Sequence, residues 1–386
     1  MLDRMQVGDV ARKHHIQLRG AGGELRFEEC FTRDGFDGPY TILYHLRRPH
    51  VHRIAPAKHG WRAPVAAPEH ALAKRHYKTF ELAQANAGPQ IDARIPLVFN
   101  QDVICGVAFP SAEDPVYIAD GDADQLVYIH KGGGTLRSLL GDIAFAQGDY
   151  VFVPRGLLHR FIPSPDTQQY WLWFSMTGGV HIPKQWRNEV GQLRMDAPYS
   201  HRDFKRPRIT GPLDEKIREL VVRRAGVWHG FTMEESPLDV VGWDGSVYPW
   251  AFPILNFQPR VSSIHLPPTW HGTFAAKGAL VCSFVPRLVD FHPDAIPCPY
   301  PHSNTHCDEI IFYAEGNFTS RKGVSSGSIS HHPMGVPHGP HPGSYEKSIG
   351  TTRADELAVM VDLFAPLSVT AAAVNVEDAG YQDSFL

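Results

Sequence analysis

Three residues toward the C-terminal end could share a metal ion: His302, Glu309 and His338. Two imidazoles and one carboxylate on one face of an ion leave several positions open, which suits non-haem Fe(II) working on O2. Zinc would accept the same donors. His306 stands three residues before Glu309 and competes with His302 for the first place in the set. The chain has 22 histidines, and most histidines in a protein sit on the surface or in satisfied hydrogen bonds. Spacing, not number, is what singles out ligands.

That spacing occurs twice. Gly148, Pro154, Gly156 and His159 (GDYVFVPRGLLH) match Gly327, Pro333, Gly335 and His338 (GSISHHPMGVPH) as G-x5-P-x-G-x2-H. Upstream, Gln125 precedes Gly132 by seven residues and Glu309 precedes Gly316 by seven. The first Gly turns the chain into a strand, Pro and the second Gly make a tight turn at its end, and His is presented from a fixed backbone position. This combination resembles the paired motifs of the cupin superfamily. Two copies imply an all-β-dominated bicupin: two tandem cupin-type β-barrels with a few short helices. In the first copy neutral Gln125 replaces the acid, and no histidine matches His302 or His306 (VYIADGDADQ). One histidine cannot hold a metal, so the first barrel is expected to be scaffold, interface or lid.

The elements that must position these residues are short. From about Ile95, β-branched and aromatic runs such as LVYIH, IAFAQGDYVFVP and YWLWFSM alternate with Gly, Asp and Pro, the signature of regularly spaced strands. TILYHL (Thr41 to Leu46) also reads as a strand, and helices are expected within 62–88 and over Asp214 to Arg224. The organisation expected is an N-terminal region with a metal-free barrel over 1–180, a polar connection over 181–225, and a metal-bearing barrel over 226–386. A net charge of −4 gives no reason to expect nucleic acid. No apolar run is long enough to span a membrane, and MLDRMQVGDVARKHH lacks the apolar core of a signal peptide. Five cysteines without a CxxC pair read as reduced thiols of a cytoplasmic protein.

Across almost its whole length the chain resembles the homogentisate 1,2-dioxygenase family. The resemblance is carried by GDVARKHHIQLRGAGGELRFEECF, HKGGGTLRSLLGDIAFAQGDYVFVPRGLLHR, QWRNEVGQLRMDAPYSHRDFKRP, VVGWDGSVYPWAF and, most specifically, PHGP after the second barrel motif. It implies Fe(II) held by His302, Glu309 and His338, and a catalytic His265 that deprotonates a substrate hydroxyl, with His271 as the alternative. It also implies that His332 bonds bound substrate or O2. Phe318 falls where the family has a tyrosine contacting the substrate carboxylate, and Phe has no hydroxyl to donate. Arg321 falls on a lysine and can still pair with a carboxylate. The implied partners are a small aromatic substrate, O2 and further copies of the chain in a homo-oligomer. Two other readings stay open: the same iron chemistry on another hydroquinone or aromatic acid such as gentisate, and a metal-binding bicupin that is not a dioxygenase.

Overall fold

The computed structural model describes residues 2–68, 71–85, 87–318 and 321–386. Strands dominate, and the α-helical pieces are four or five residues long (Gln90–Ala93, Ser344–Ser348 and Ala371–Val374). The fold is the all-β bicupin that the doubled motif implied. No helix among the described residues is long and apolar enough to cross a membrane.

The first barrel is built from two seven-stranded sheets. One runs Gly141–Ala146, Gly133–Ser138, His159–Pro163, Tyr117–Asp120, Glu219–Arg224, Val227–Thr232 and Arg53–Ala55. The other runs Trp250–Pro253, Asp149–Val153, Asp124–Lys131, Tyr170–Met176, Val103–Ala108, Arg94–Phe99 and Ser368–Val369. The second barrel's main sheet is Gly178–His181, Gly272–Lys277, Ala279–Phe284, Glu356–Leu363, Asp308–Gly316, Ser328–His332 and Arg75–Tyr77. Each barrel therefore borrows a strand from the far end of the chain. The boundary drawn at 225/226 falls in the turn of an antiparallel hairpin, Glu219–Arg224 with Val227–Thr232, inside a first-barrel sheet.

Two helix expectations are corrected. Residues 214–218 are irregular, and Glu219–Arg224 is a strand running parallel to Tyr117–Asp120. Leu220, Val221 and Arg223 turn inward, and Arg223 reaches Asp120 at 3.2 Å. Sheet pairing and that buried ion pair override the helical propensity of the charged run. Within 62–88 there is one 3-10 segment, Thr79–Gln84, and no α-helix among the described residues. TILYHL forms the strand Tyr40–His45.

The barrels are pinned face to face by aromatic packing. Phe312 of the second barrel meets Tyr128, His130 and Tyr170 of the first at centroid distances of 6.1, 5.1 and 5.8 Å. The Tyr170 hydroxyl donates to the Gly327 carbonyl at 2.7 Å. Each buried aromatic ring contributes roughly 2 kcal/mol by removal from water. The same contacts fix the turn from which the second motif starts.

Candidate metal centre

The two Gly-Pro-Gly-His copies fold alike, bond for bond. Gly148 and Gly327 have φ of 85° and 77°, and Gly156 and Gly335 have 80° and 79°, values that only glycine adopts without strain. Gly148 N donates to Ile129 O at 2.8 Å and Gly327 N to Tyr313 O at 2.7 Å. Gly156 N donates to Asp120 O at 2.8 Å and Gly335 N to Asn304 O at 2.7 Å. Each turn is also clasped by an aspartate: Asp124 accepts from Arg155 N and Asp308 from Met334 N, both at 2.8 Å. Finally, each motif histidine ties its Nδ1 to the carbonyl two residues back, His159 to Leu157 at 2.8 Å and His338 to Val336 at 3.1 Å. With Nδ1 carrying the donated hydrogen, the Nε2 lone pair faces the barrel interior.

His302 is set against His338 by a two-way main-chain bridge, at 2.8 and 2.9 Å. Its Nδ1 lies 3.3 Å from the Tyr300 carbonyl, so it too offers Nε2. Glu309 projects from Asp308–Gly316 between two paired strands, opposite His332 on one side and Asp362 on the other. One donor atom from each of His302, Glu309 and His338 lies within 4.8 Å of the others. His338 Nε2 is buried with no hydrogen-bond partner and sits 3.9 Å from Glu309 Oε1. An orphaned imidazole nitrogen beside a buried carboxylate fits a divalent cation, which would satisfy both. His306 is exposed and outside this cluster.

Burial alone would raise the Glu309 carboxyl, but the hydrogen bond from His332, with the Arg321 cation beyond it, more than reverses this and holds Glu309 below the usual carboxylate range. Burial keeps His332 neutral, pushing its imidazole well below the ordinary value. His332 Nδ1 donates to Glu309 Oε1 at 2.7 Å, and the ring stacks on His338 at 4.9 Å. It faces the carboxylate and its neighbour rather than the cavity. Asp362 belongs to neither motif copy, and no sequence pattern points to it. Burial, then the Glu309 charge, pushes its carboxyl up to about 7.

A cavity of about 310 Å³ opens beside these residues, lined among others by Glu309, His302, His265, His271 and Arg321. His265 Nδ1 lies 3.2 Å from Asp290 Oδ2, and Tyr300 packs between the His265 and His302 rings at 5.0 and 6.5 Å. His271 is driven down to about 3 by burial, reinforced by Arg287 and His265. Arg321 donates to the Gly339 carbonyl. Phe318 packs edge-on against Tyr313 at 4.8 Å rather than lining the cavity. Asp290 lies on an irregular loop, where no local pattern points to it.

The family model described as homogentisate 1,2-dioxygenase N-terminal matches residues 103–254. A Saccharolobus solfataricus protein provisionally named a dioxygenase is 33% identical over 380 residues, 97% of this chain and 96% of that protein. The homogentisate 1,2-dioxygenase of Rhizobium etli is 24% identical, covering 84% of this chain and 71% of its own. That of Sinorhizobium medicae is 25% identical over 88% of this chain and 75% of its own. Among solved structures, a cupin 2 conserved barrel domain protein from Leptotrichia buccalis overlaps 77% of this chain and 99% of its own, at 8% identity and a TM-score of 0.36.

Proposed function

This chain belongs to the homogentisate 1,2-dioxygenase family, on a divergent branch of it, and from that membership we propose that it is an Fe(II)-dependent dioxygenase. Its substrate would be homogentisate or a close 2,5-dihydroxyphenyl relative. Both atoms of O2 enter the substrate as one ring carbon–carbon bond is cleaved, so no outside reductant is needed. The observation that carries the reading is the juxtaposition of two groups on one cavity: the donor set His302, Glu309 and His338, and the His265–Asp290 pair.

When bound, the iron would supply Lewis acidity and a common anchor for the substrate oxygen and O2. The protein's own groups do the rest. Asp290 holds Nδ1 of His265, leaving Nε2 to take a proton from a ring hydroxyl. Arg321, fixed by Gly339, offers a cation for a side-chain carboxylate. Apolar walls such as Phe284, Ile311 and Met360 seat the ring and exclude water. His271, neutral through burial, cannot compete as a charged partner for the carboxylate.

The same iron chemistry on another hydroquinone is the second reading. It draws support from Phe318, which offers no hydroxyl to an acetate arm and packs on Tyr313 instead. O2 uptake by protein loaded anaerobically with Fe(II) separates the two, using homogentisate, gentisate and unsubstituted hydroquinone. Homogentisate is expected to be consumed fastest. Consumption of only a substrate without the acetate arm removes the homogentisate assignment, and no uptake with any of them removes the dioxygenase reading.

A further inference from the structure

The C-terminal segment is held against the strand Arg75–Tyr77 and the loop that follows the second motif. Asp378 N donates to His76 O at 2.8 Å, and Lys74 lies 4.4 Å from the Phe385 ring. His341 bonds Ser384 at 2.7 Å and stacks on Phe385 at 3.9 Å. These contacts seat Tyr381, which is buried at 3% exposure, with its hydroxyl 3.5 Å from His332 Nε2.

Donor and acceptor roles along this line follow from elementary bookkeeping. Ionised Glu309 can only accept, so His332 must place its single hydrogen on Nδ1, which lies 2.7 Å away. Nε2 is then an acceptor, and the Tyr381 hydroxyl is the group that donates to it. Tyr381 in turn adjoins Ser330, whose hydroxyl lies 2.8 Å from that of Tyr313. Tyr313 lies beside the Arg321 guanidinium. The bonds from Tyr381 to His332 and from His332 to Glu309 therefore point one way, toward the Glu309 anion, with Ser330, Tyr313 and the Arg321 cation behind them. Hydrogen bonds aligned in this sense polarise one another.

We propose that Tyr381 is a positioning residue for the metal centre, acting through His332: its hydroxyl selects the imidazole tautomer that aims Nδ1–H at Glu309, and the row behind it runs back to the cavity-lining Arg321. This rests on the metal-site reading above. It gives the C-terminal segment a role in preparing Glu309 as a ligand, and it makes His332 a support of the carboxylate rather than a contact for substrate.

The test is titration of the metal-free full-length protein with Co(II), reading both affinity and the visible ligand-field bands. Tyr381→Phe keeps the ring and deletes the hydroxyl. It is expected to bind Co(II) roughly 10-fold more weakly, as outer-sphere deletions do, with altered bands, while the unfolding midpoint of the metal-free protein stays within the range of a single surface substitution. Ser330→Ala, one bond further back, is expected to shift affinity in the same direction by less. Unchanged affinity and bands in Tyr381→Phe overturn the proposal. Should that variant fail to fold, wild-type affinity in Ser330→Ala overturns it equally. Wild-type protein that takes up no Co(II) would bring down the metal site itself. Stoichiometric wild-type uptake with silent variants would remove this inference alone.

Discussion

The two barrels place the same backbone around opposite solutions to a buried charge. His302 bridges His338 in the second barrel; in the first, Ile118 bridges His159. Glu309 is flanked by His332 and Asp362, whereas Gln125 is flanked by Val153 and Ser175. The first interior is closed by protein cations. Arg94 donates to Gln125 and, at 2.8 Å, to Gln90. Gln125 donates to Asp120 at 2.6 Å, and Arg223 reaches Asp120 and Ser175 at 3.2 and 3.1 Å. The second interior leaves His338 Nε2 unanswered. A covalently attached guanidinium makes a permanent crosslink, while an orphaned imidazole nitrogen beside a carboxylate makes a site. The turn geometry is shared, and the two motif copies differ at the interior-facing positions.

Copying first-barrel residues into the second barrel should give the largest effects. Glu309→Gln and His302→Ile each remove a donor and leave the turns intact. Metal analysis after reconstitution should find no bound ion, and O2 uptake should fall by roughly 10³-fold or more, the scale on which lost transition-state contacts are read. His306→Ala should keep both within twofold. If His306→Ala loses the metal and His302→Ile keeps it, the correspondence between His302 and Ile118 is broken. The reciprocal test strips the first barrel of its cation. Arg94→Ala leaves buried Gln125 and Gln90 short of a donor and should cost about 2–5 kcal/mol of stability by urea unfolding, with the metal content of the folded protein unchanged. A cost below about 1 kcal/mol would mean that the arginine is not the counterpart of the metal.

How much of this could be read beforehand depends on how local each signal is. His302, Glu309 and His338 are brought together on elements whose turns are written in glycines at left-handed positions, and metal chemistry admits few residue types. The orientation of His332 was within reach, because strand alternation puts it opposite Glu309, although resemblance alone assigned it to substrate. Tyr381 and Asp290 were out of reach: one sits in a C-terminal segment and the other in a loop, and only long-range packing delivers them. The exchange of Arg75–Tyr77 and Ser368–Val369 between barrels was hidden for the same reason, since two or three residues carry no periodicity. Glu219–Arg224 misled because its charges suit a helix surface, while its pairing with Tyr117–Asp120 depends on residues a hundred positions away.

The smallest expected effect tests whether the likeness of His159 and His338 extends from backbone to protonation. Burial, with Arg94 acting in the same direction, pushes the His159 imidazole down to about 4, against about 6.5 in an unfolded chain. The fold therefore refuses a proton that the unfolded chain accepts between those values. Stability from this group is complete above about pH 6.5, falls as the pH drops through the window, and levels off below about 4. For one such histidine the loss between pH 7 and pH 5 is roughly 2 kcal/mol. Burial pushes His130 down to about 4 as well, so the wild-type slope should be steeper than one group predicts. His159→Gln cannot take the proton, and its stability deficit relative to wild type should shrink by roughly 2 kcal/mol between pH 7 and pH 5 in urea titrations of metal-free protein. Parallel pH curves would mean that the fold takes up a proton on His159 as readily as the unfolded chain does, and the two motif histidines would then share their turns but not their chemistry.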